Sequence, residues 1–345
     1  MSKLSESMNA AFLLGPRNVV VKETNIPKPK FNEVLVRVRA CAICPSDVRY
    51  YAGYKQYLPY GDESVGLSGH EWAGEVVAVG EGVKNIEIGE KVVPDHLIYC
   101  GKCGACIRGY TNLCDNKKNY LRGFAEYAVA YAPNVYKMPD NVSFVEISVT
   151  EPLSCCINAN EMAGISPGDV VAIIGAGPIG LMHLQLSKLS GARVISLDLK
   201  DERLELAKQL GADDLINPSK EDPVEAVKSL TDGYGADVVI VATGGAKPIE
   251  LGIELAGKAG KVILFAGTYP PTTISIDPNK IHYRQLIITG SYDHLPKHFA
   301  KAINLISTGK VKVKPFISHI LPLEKLREGF EIVEKRGGLK VVITP

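Results

Sequence analysis

No sign of charge dominates this sequence: 39 lysines and arginines face 38 aspartates and glutamates, leaving a net charge of +1. Nothing in that balance drives binding to nucleic acid or to an anionic membrane, and neither is expected as a partner. Long apolar runs are also missing. No stretch approaches the ~18 consecutive apolar residues of a spanning helix, and Met1 to Pro16 lacks a charged segment followed by a long apolar core. The expectation is a cytoplasmic protein. Low complexity is confined to the short polar start, Met1 to Ser7, and 46% hydrophobic with 22% charged residues excludes a disordered chain.

What is present is length enough for two domains: 345 residues against the ~150 of a typical one. From about Asn9 to Tyr131 the chain reads as short β runs broken by Gly, Pro and Asp, among them Val19 to Lys22, Glu33 to Arg39, Trp72 to Val79 and Ala125 to Ala130. After Glu151 strands alternate with helices. Val170 to Ile174 precedes Ile179 to Leu189, Arg193 to Leu197 precedes Glu202 to Leu210, and Val238 to Val241 precedes Pro248 to Ala256 and Lys261 to Ala266. Such repeated βα units imply a doubly wound parallel sheet. Past Asp293 two helical stretches, Pro296 to Ile306 and Glu324 to Glu334, and an apolar run, Leu339 to Ile343, break the rhythm. They predict a C-terminal segment that completes the β-rich part.

Gly175-Ala176-Gly177-Pro178-Ile179-Gly180 follows an apolar strand directly and opens a helix, the setting in which glycines let a dinucleotide pyrophosphate approach the helix N-terminus. Asp198, about twenty residues on, can accept from both ribose hydroxyls and would repel a 2′-phosphate, which favours NAD over NADP. Lys200 and Arg203 stand nearby. They read either as a solvated helix start or as cations able to accommodate that phosphate.

Cys100, Cys103, Cys106 and Cys114 place four thiolates in a glycine-rich loop. In a reducing compartment this spacing suits a closed tetrahedral structural zinc, an iron-sulfur cluster being the rival reading. Three further segments each carry a potential ligand: Cys41-Ala42-Ile43-Cys44-Pro45-Ser46-Asp47, Gly69-His70-Glu71, and Glu151-Pro152-Leu153-Ser154-Cys155. Alone, each reads as a buried thiol, a core histidine or a helix-start carboxylate.

Together, with Gly69-His70-Glu71-x2-Gly74, the four-cysteine lobe, Glu151-Pro152-Leu153 and the dinucleotide fingerprint, they make the chain resemble the zinc-containing medium-chain dehydrogenase/reductase family. The resemblance is closest to the sorbitol (polyol) and threonine dehydrogenase branch and runs from about Asn9 to the C-terminus. It implies an α/β protein in which a GroES-like β-rich catalytic domain, residues 1–155 and 293–345, holds an inserted Rossmann domain, 156–292, with the active site in the cleft between them. It implies a homo-oligomer, tetramer or dimer. The activity implied is NAD-linked oxidation of a secondary alcohol of a polyol, sugar or sugar acid, with threonine-type and general alcohol dehydrogenases as alternatives. A zinc-free quinone or enoyl reductase and a non-catalytic nucleotide-binding protein on the same scaffold are the rivals that the metal set argues against.

By motif position, Cys44 and His70 would hold a catalytic zinc, with Glu71 as a ligand or an exchanging neighbour. Glu151 is the favoured further ligand and Cys155 its alternative; Cys41 and Cys156 read as small core residues. Ser46 matches the family's proton-relay hydroxyl, or caps the short helix that follows. Arg49 stands where members commonly carry His. Arginine stays charged and cannot act as a base, so it contacts the pyrophosphate or an anionic substrate group, or forms a surface salt bridge. Five tyrosines lie between Tyr50 and Tyr60. They read as pocket walls, with Tyr50 as the substrate candidate, or as subunit contacts. Thr243 and Ser291 match positions where the family brings backbone to the nicotinamide half of the cofactor.

Overall fold

The structure is a computed structural model that describes residues 6–54 and 58–345. Lys55, Gln56 and Tyr57, within the tyrosine-rich stretch, and residues 1–5 lie outside the described residues. The chain divides into two compact units, Met1–Pro152 with Leu295–Ser307 and Phe316–Pro345, and Leu153–His294 with Thr308–Pro315.

The first unit is built on a seven-stranded sheet. Its path runs Ile317–Pro322, Lys340–Thr344, Glu33–Ala42, Glu71–Val79, Lys91–Pro94 and Val135–Lys137, and Tyr127–Tyr131 also pairs with Glu33–Ala42. The strand Glu33–Ala42 alternates Val34, Val36 and Val38 inward with Arg37 and Arg39 outward, and those valines are almost completely buried. They pack with Trp72, Val76, Phe124 and Phe330 into one core, each valine contributing about 1.5 kcal/mol or more by leaving water. The C-terminal return is realised in the ladder itself. Val342 lies opposite Ala42 and Ile343 opposite Cys41, antiparallel.

The second unit holds six parallel strands in the spatial order Asp214–Ile216, Arg193–Leu197, Val170–Ile174, Ala236–Val241, Ala256–Leu264, Ile287–Gly290. By sequence that is third, second, first, fourth, fifth, sixth, the doubly wound order of dinucleotide-binding sheets. Helices on both faces explain why Val171, Ala172 and Ile173 are all apolar and all buried. The order reverses between Val170–Ile174 and Ala236–Val241, so the crevice at their carboxyl ends is the place for a ligand. Among the described residues no helix is long and apolar enough to cross a membrane.

Candidate active site

Strand Glu33–Ala42 ends two residues before Cys44, which caps the helix Pro45–Tyr51. Cys44 is extended, Pro45 supplies a pre-set first helical residue, and the Asp47 carboxylate accepts from the Cys44 backbone N–H at 2.8 Å. The cap is therefore Cys44. Ser46, a candidate cap from sequence, is the second helical residue and half-buried. Asp47 is fully buried, accepts from the Ser68 hydroxyl as well, and lies 3.4 Å from His70 Nδ1.

Register delivers the next two groups. Glu71 pairs with Ala42 and Trp72 with Cys41, which carries His70 and Glu71 to the same end of the sheet as Cys44. The thiol of Cys44, a ring nitrogen of His70 and a carboxylate oxygen of Glu71 all lie within 4.8 Å of one another. His70 Nδ1 donates to the Ser68 carbonyl at 3.0 Å, which leaves Nε2 for a ligand. Burial alone would lower the His70 pKa, but Asp47 and Cys44 outweigh it and hold the ring well above its ordinary value. A thiol, an imidazole and a carboxylate suit zinc, whose binding would expel that proton.

Two supporting residues lie outside the motifs named from the sequence. Lys340 is 4% exposed, and its ammonium reaches both oxygens of Glu71, at 2.7 and 2.5 Å, and the carbonyl of Ile43 at 3.0 Å. It sits there because the register of the last strand brings residue 340 abreast of residues 43 and 44. A lone cation in the apolar run Leu339 to Ile343 was the signal. Burial pushes the Glu71 carboxyl up to about 7; Lys340 pulls it down and the charge of Glu151 raises it. His96, also buried, sets its ring 5.2 Å from that of His70. Its place beside the four-cysteine loop was the only hint in the sequence.

Glu151 is buried in the first turn of the helix Thr150–Ala163. Neither Glu151 nor Cys155, one turn on, is in the Cys44, His70 and Glu71 group of the described residues. Cys41 and Cys156 are fully buried, as small core residues should be. Arg49 is half-buried in the last turn of its short helix. Tyr50 departs from expectation. Its ring is 1% exposed in the core, stacked on Tyr60 at 5.5 Å, and its hydroxyl donates to the Pro59 carbonyl. Burial pushes its pKa up to about 12. It is a core residue, because the helix turns it inward against Tyr60.

The four lobe cysteines form a second thiol group, all within 4.8 Å. Cys103 Sγ lies 3.5 Å from Cys106 Sγ and 3.9 Å from Cys114 Sγ, spanning the ~3.8 Å edge of a tetrahedron with zinc-sulfur bonds of about 2.3 Å. Backbone amides of Cys100 and Cys103 donate to the sulfurs of Cys114 and Cys100 at 3.3 and 3.4 Å. Amides of Lys102 and Cys103 lower the Cys100 thiol to about 6. The sulfurs fit a closed zinc site.

In the second unit Gly175 follows its strand at φ +101°, in the left-handed region that glycine alone adopts freely. A Cβ on Gly180 would stand 1.8 Å from the Gly175 carbonyl, whereas nothing lies within 4 Å of one on Gly177, the cap of the helix Pro178–Leu189. The loop is thus closed on one side and open where a phosphate would approach. Asp198 Oδ2 accepts from the Ala176 amide at 2.8 Å and Oδ1 from the Lys200 amide at 2.9 Å. Lys200 is exposed, but Arg203 is not a solvated charge: its guanidinium turns onto Asp198 at 3.7 Å with 18% of the side chain exposed. Thr243 packs beside Gly175 at the switch point, and the Ser291 amide donates to the Leu264 carbonyl at 3.1 Å.

The sequence models described as alcohol dehydrogenase GroES-like domain and zinc-binding dehydrogenase match residues 30–140 and 178–308. The chain is similar to the L-threonine 3-dehydrogenase of Pyrococcus abyssi, 38% identical over 348 residues that cover 98% of this chain and 99% of the relative. It is similar to the sorbitol dehydrogenase of Halalkalibacterium halodurans, 32% identical with 96% and 97% covered. A Sinorhizobium meliloti protein solved with bound NADP superposes with a TM-score of 0.92 at 31% identity, covering 99% of this chain and 100% of that one.

Proposed function

The chain belongs to the zinc-containing medium-chain dehydrogenase/reductase family, and on that footing we propose that it oxidises a secondary alcohol of a polyol, sugar or sugar acid to the ketone, with NAD as acceptor. The observation that carries this is the buried meeting of Cys44, His70 and Glu71. Residues 1–155 and 293–345 are read as the catalytic domain and 156–292 as the NAD-binding domain, in a homo-oligomer in the cytoplasm. When bound, zinc supplies the Lewis acidity that makes an alcohol acidic near neutral pH, and the nicotinamide supplies a hydride acceptor.

Everything else falls to the chain. Cys44 and His70 hold the ion, Asp47 fixes the ring through Nδ1, and Glu151 is the favoured further ligand. Lys340 occupies both oxygens of Glu71, so Glu71 stands behind the ligands as an exchanging carboxylate. Ser46 takes the hydroxyl proton. Arg49 keeps its charge, so the proton leaves Ser46 by water, by the cofactor ribose, or by Glu71 or Glu151, while Arg49 holds an anion. Gly175, Gly177 and Gly180 admit the pyrophosphate, and Asp198 takes the ribose hydroxyls. The names of the relatives make threonine the second substrate to test.

A panel of polyols, sugar acids, threonine and simple alcohols, followed by NADH absorbance with the zinc-loaded protein, tests the reading. Turnover of polyols or sugar acids is expected. Turnover of threonine alone would replace the substrate class, and a kcat/KM higher with NADP would replace the cofactor.

A further inference from the structure

One buried imidazole beside the Cys44 group has no part in the reaction as described so far. His96 is 8% exposed, and its ring centroid lies 5.2 Å from that of His70, with the planes tilted by 57°. Yet His96 stands outside the group of Cys44, His70 and Glu71, so it packs against a ligand ring without being one of the ligands. Its backbone is pinned on every side. His96 lies in the two-residue link between strand Lys91–Pro94 and strand Leu97–Ile98. The Asp95 amide donates to the Asn134 carbonyl at 2.8 Å, the Leu97 amide to the Asp95 carboxylate at 3.0 Å, and the Tyr120 amide to the His96 carbonyl at 3.0 Å. The Asn134 side chain donates to the Leu97 carbonyl. Leu97 and Ile98 pair with Asn119 and Lys118, so the stem of the four-cysteine lobe is what holds His96 against His70.

A side chain fixed this firmly next to a ligand ring is a pre-organised wall of the space where the reacting oxygen is held. An apolar residue there would suit a simple alcohol. Histidine brings polarity that such an alcohol cannot answer. A neutral imidazole carries one donor and one acceptor nitrogen, and a hydroxyl can meet either of them, because it both donates and accepts. A carboxylate can only accept and an ammonium, such as that of threonine, can only donate, so each fits one nitrogen and not the other. The group that His96 suits whichever nitrogen it presents is a hydroxyl.

We infer that His96 is a specificity-determining residue: it hydrogen-bonds the hydroxyl on the carbon next to the one being oxidised, and so selects vicinal diols, the repeating unit of polyols and sugars, over simple alcohols. The inference rests on the proposed alcohol oxidation and narrows its substrate. It gives the lobe a second task, since the strands that carry the four cysteines also aim this ring.

In the zinc-loaded wild-type chain, kcat/KM for 2,3-butanediol is expected to exceed that for 2-butanol by about tenfold or more, because a site built to bond a hydroxyl rejects the analogue that lacks it. His96→Phe keeps a ring and removes both nitrogens, and should erase most of that ratio; His96→Gln keeps a donor and an acceptor, and should restore part of it. Equal use of the two alcohols by the wild type, or a ratio unmoved in His96→Phe, overturns the inference and leaves the alcohol oxidation standing. Turnover of no alcohol at all overturns both. Because a variant can misfold, a second measurement uses the wild type with NADH in place of NAD, so that nothing is oxidised. Calorimetry should then show 2,3-butanediol binding about tenfold more tightly than 1,3-butanediol, whose second hydroxyl is one carbon further away; equal affinities overturn the inference.

Discussion

The four-cysteine lobe and the Cys44 pocket both bring metal-ligating side chains together, yet they are assembled in opposite ways. In the lobe, every sulfur comes from residues 100–114 and is held by backbone amides of the same loop. In the pocket, Cys44 and Asp47 come from one strand end, His70 and Glu71 from a second strand, and Lys340 from a third, with the charges balanced by side chains. The lobe is a local device whose charge is met by the main chain. The pocket is a meeting of distant strands whose charge is met by buried partners, so its chemistry depends on the register of the whole sheet.

The largest effect should come from breaking one member of each set. Cys103→Ala removes a ligand from a site of a kind that contributes on the order of 10 kcal/mol to folding when filled, and is expected to lower the unfolding temperature steeply with loss of one zinc. Cys44→Ala should abolish NAD reduction while leaving the melting curve close to that of the parent. Calorimetry beside an activity assay reads both, and the opposite assignment of effects would break the comparison.

Lys340→Met comes next. It strands a buried carboxylate, a change that costs about 3–5 kcal/mol, measurable by denaturant titration of the metal-free chain. The sign with pH follows from the Glu71 carboxyl being raised to about 7 from 4.5. Its contribution to stability is present below about 4.5 and is lost as pH rises through about 7. Lys340→Met should therefore approach the parent as pH falls, and a gap that widens in acid would sink this account of the pair.

Asp47→Asn is expected to weaken zinc at the Cys44 site ten- to a hundredfold without touching the lobe, as loss of a residue orienting a ligand imidazole does elsewhere. Competition with a chromophoric chelator would show it. The smallest effect probes a buried imidazole without a carboxylate beside it. His183 packs edge-on against Phe265 and 3.2 Å from Asn160 Oδ1, and burial lowers its pKa to about 3. A depressed pKa gives stability that is present above about 6.5 and is lost as pH falls toward 3, about 1 kcal/mol of it between pH 6.5 and 5.5. In His183→Asn that slope should flatten.

The same contrast explains what could be read in the sequence. Strand Val170–Ile174 and strand Arg193–Leu197 fall where periodicity placed them, because a buried parallel strand is a short run of apolar residues. The lobe was legible for the same local reason. Lys340 and Asp47 were not, since what gives each its role is a partner that no spacing reveals: Glu71, 269 residues from Lys340, and His70 across a strand pair. Tyr50 misled because an aromatic next to a ligand residue is equally good core, and the turn of the helix Pro45–Tyr51 decides which. Arg203 stayed open between two readings, because a charge run hides which of its members folds back, here onto Asp198.

The pairing of Glu71 with Lys340 also sets a clock. A ribosome adding roughly 5–20 residues per second needs roughly 13–54 s to pass from one partner to the other across 269 residues. For that interval the nascent first unit carries Cys44, His70 and Glu71 without the cation that balances them, while the lobe at 100–114 has long been complete. The charge balance of the pocket is therefore completed by one of the last residues to be synthesised, whereas the lobe has all of its cysteines by residue 114.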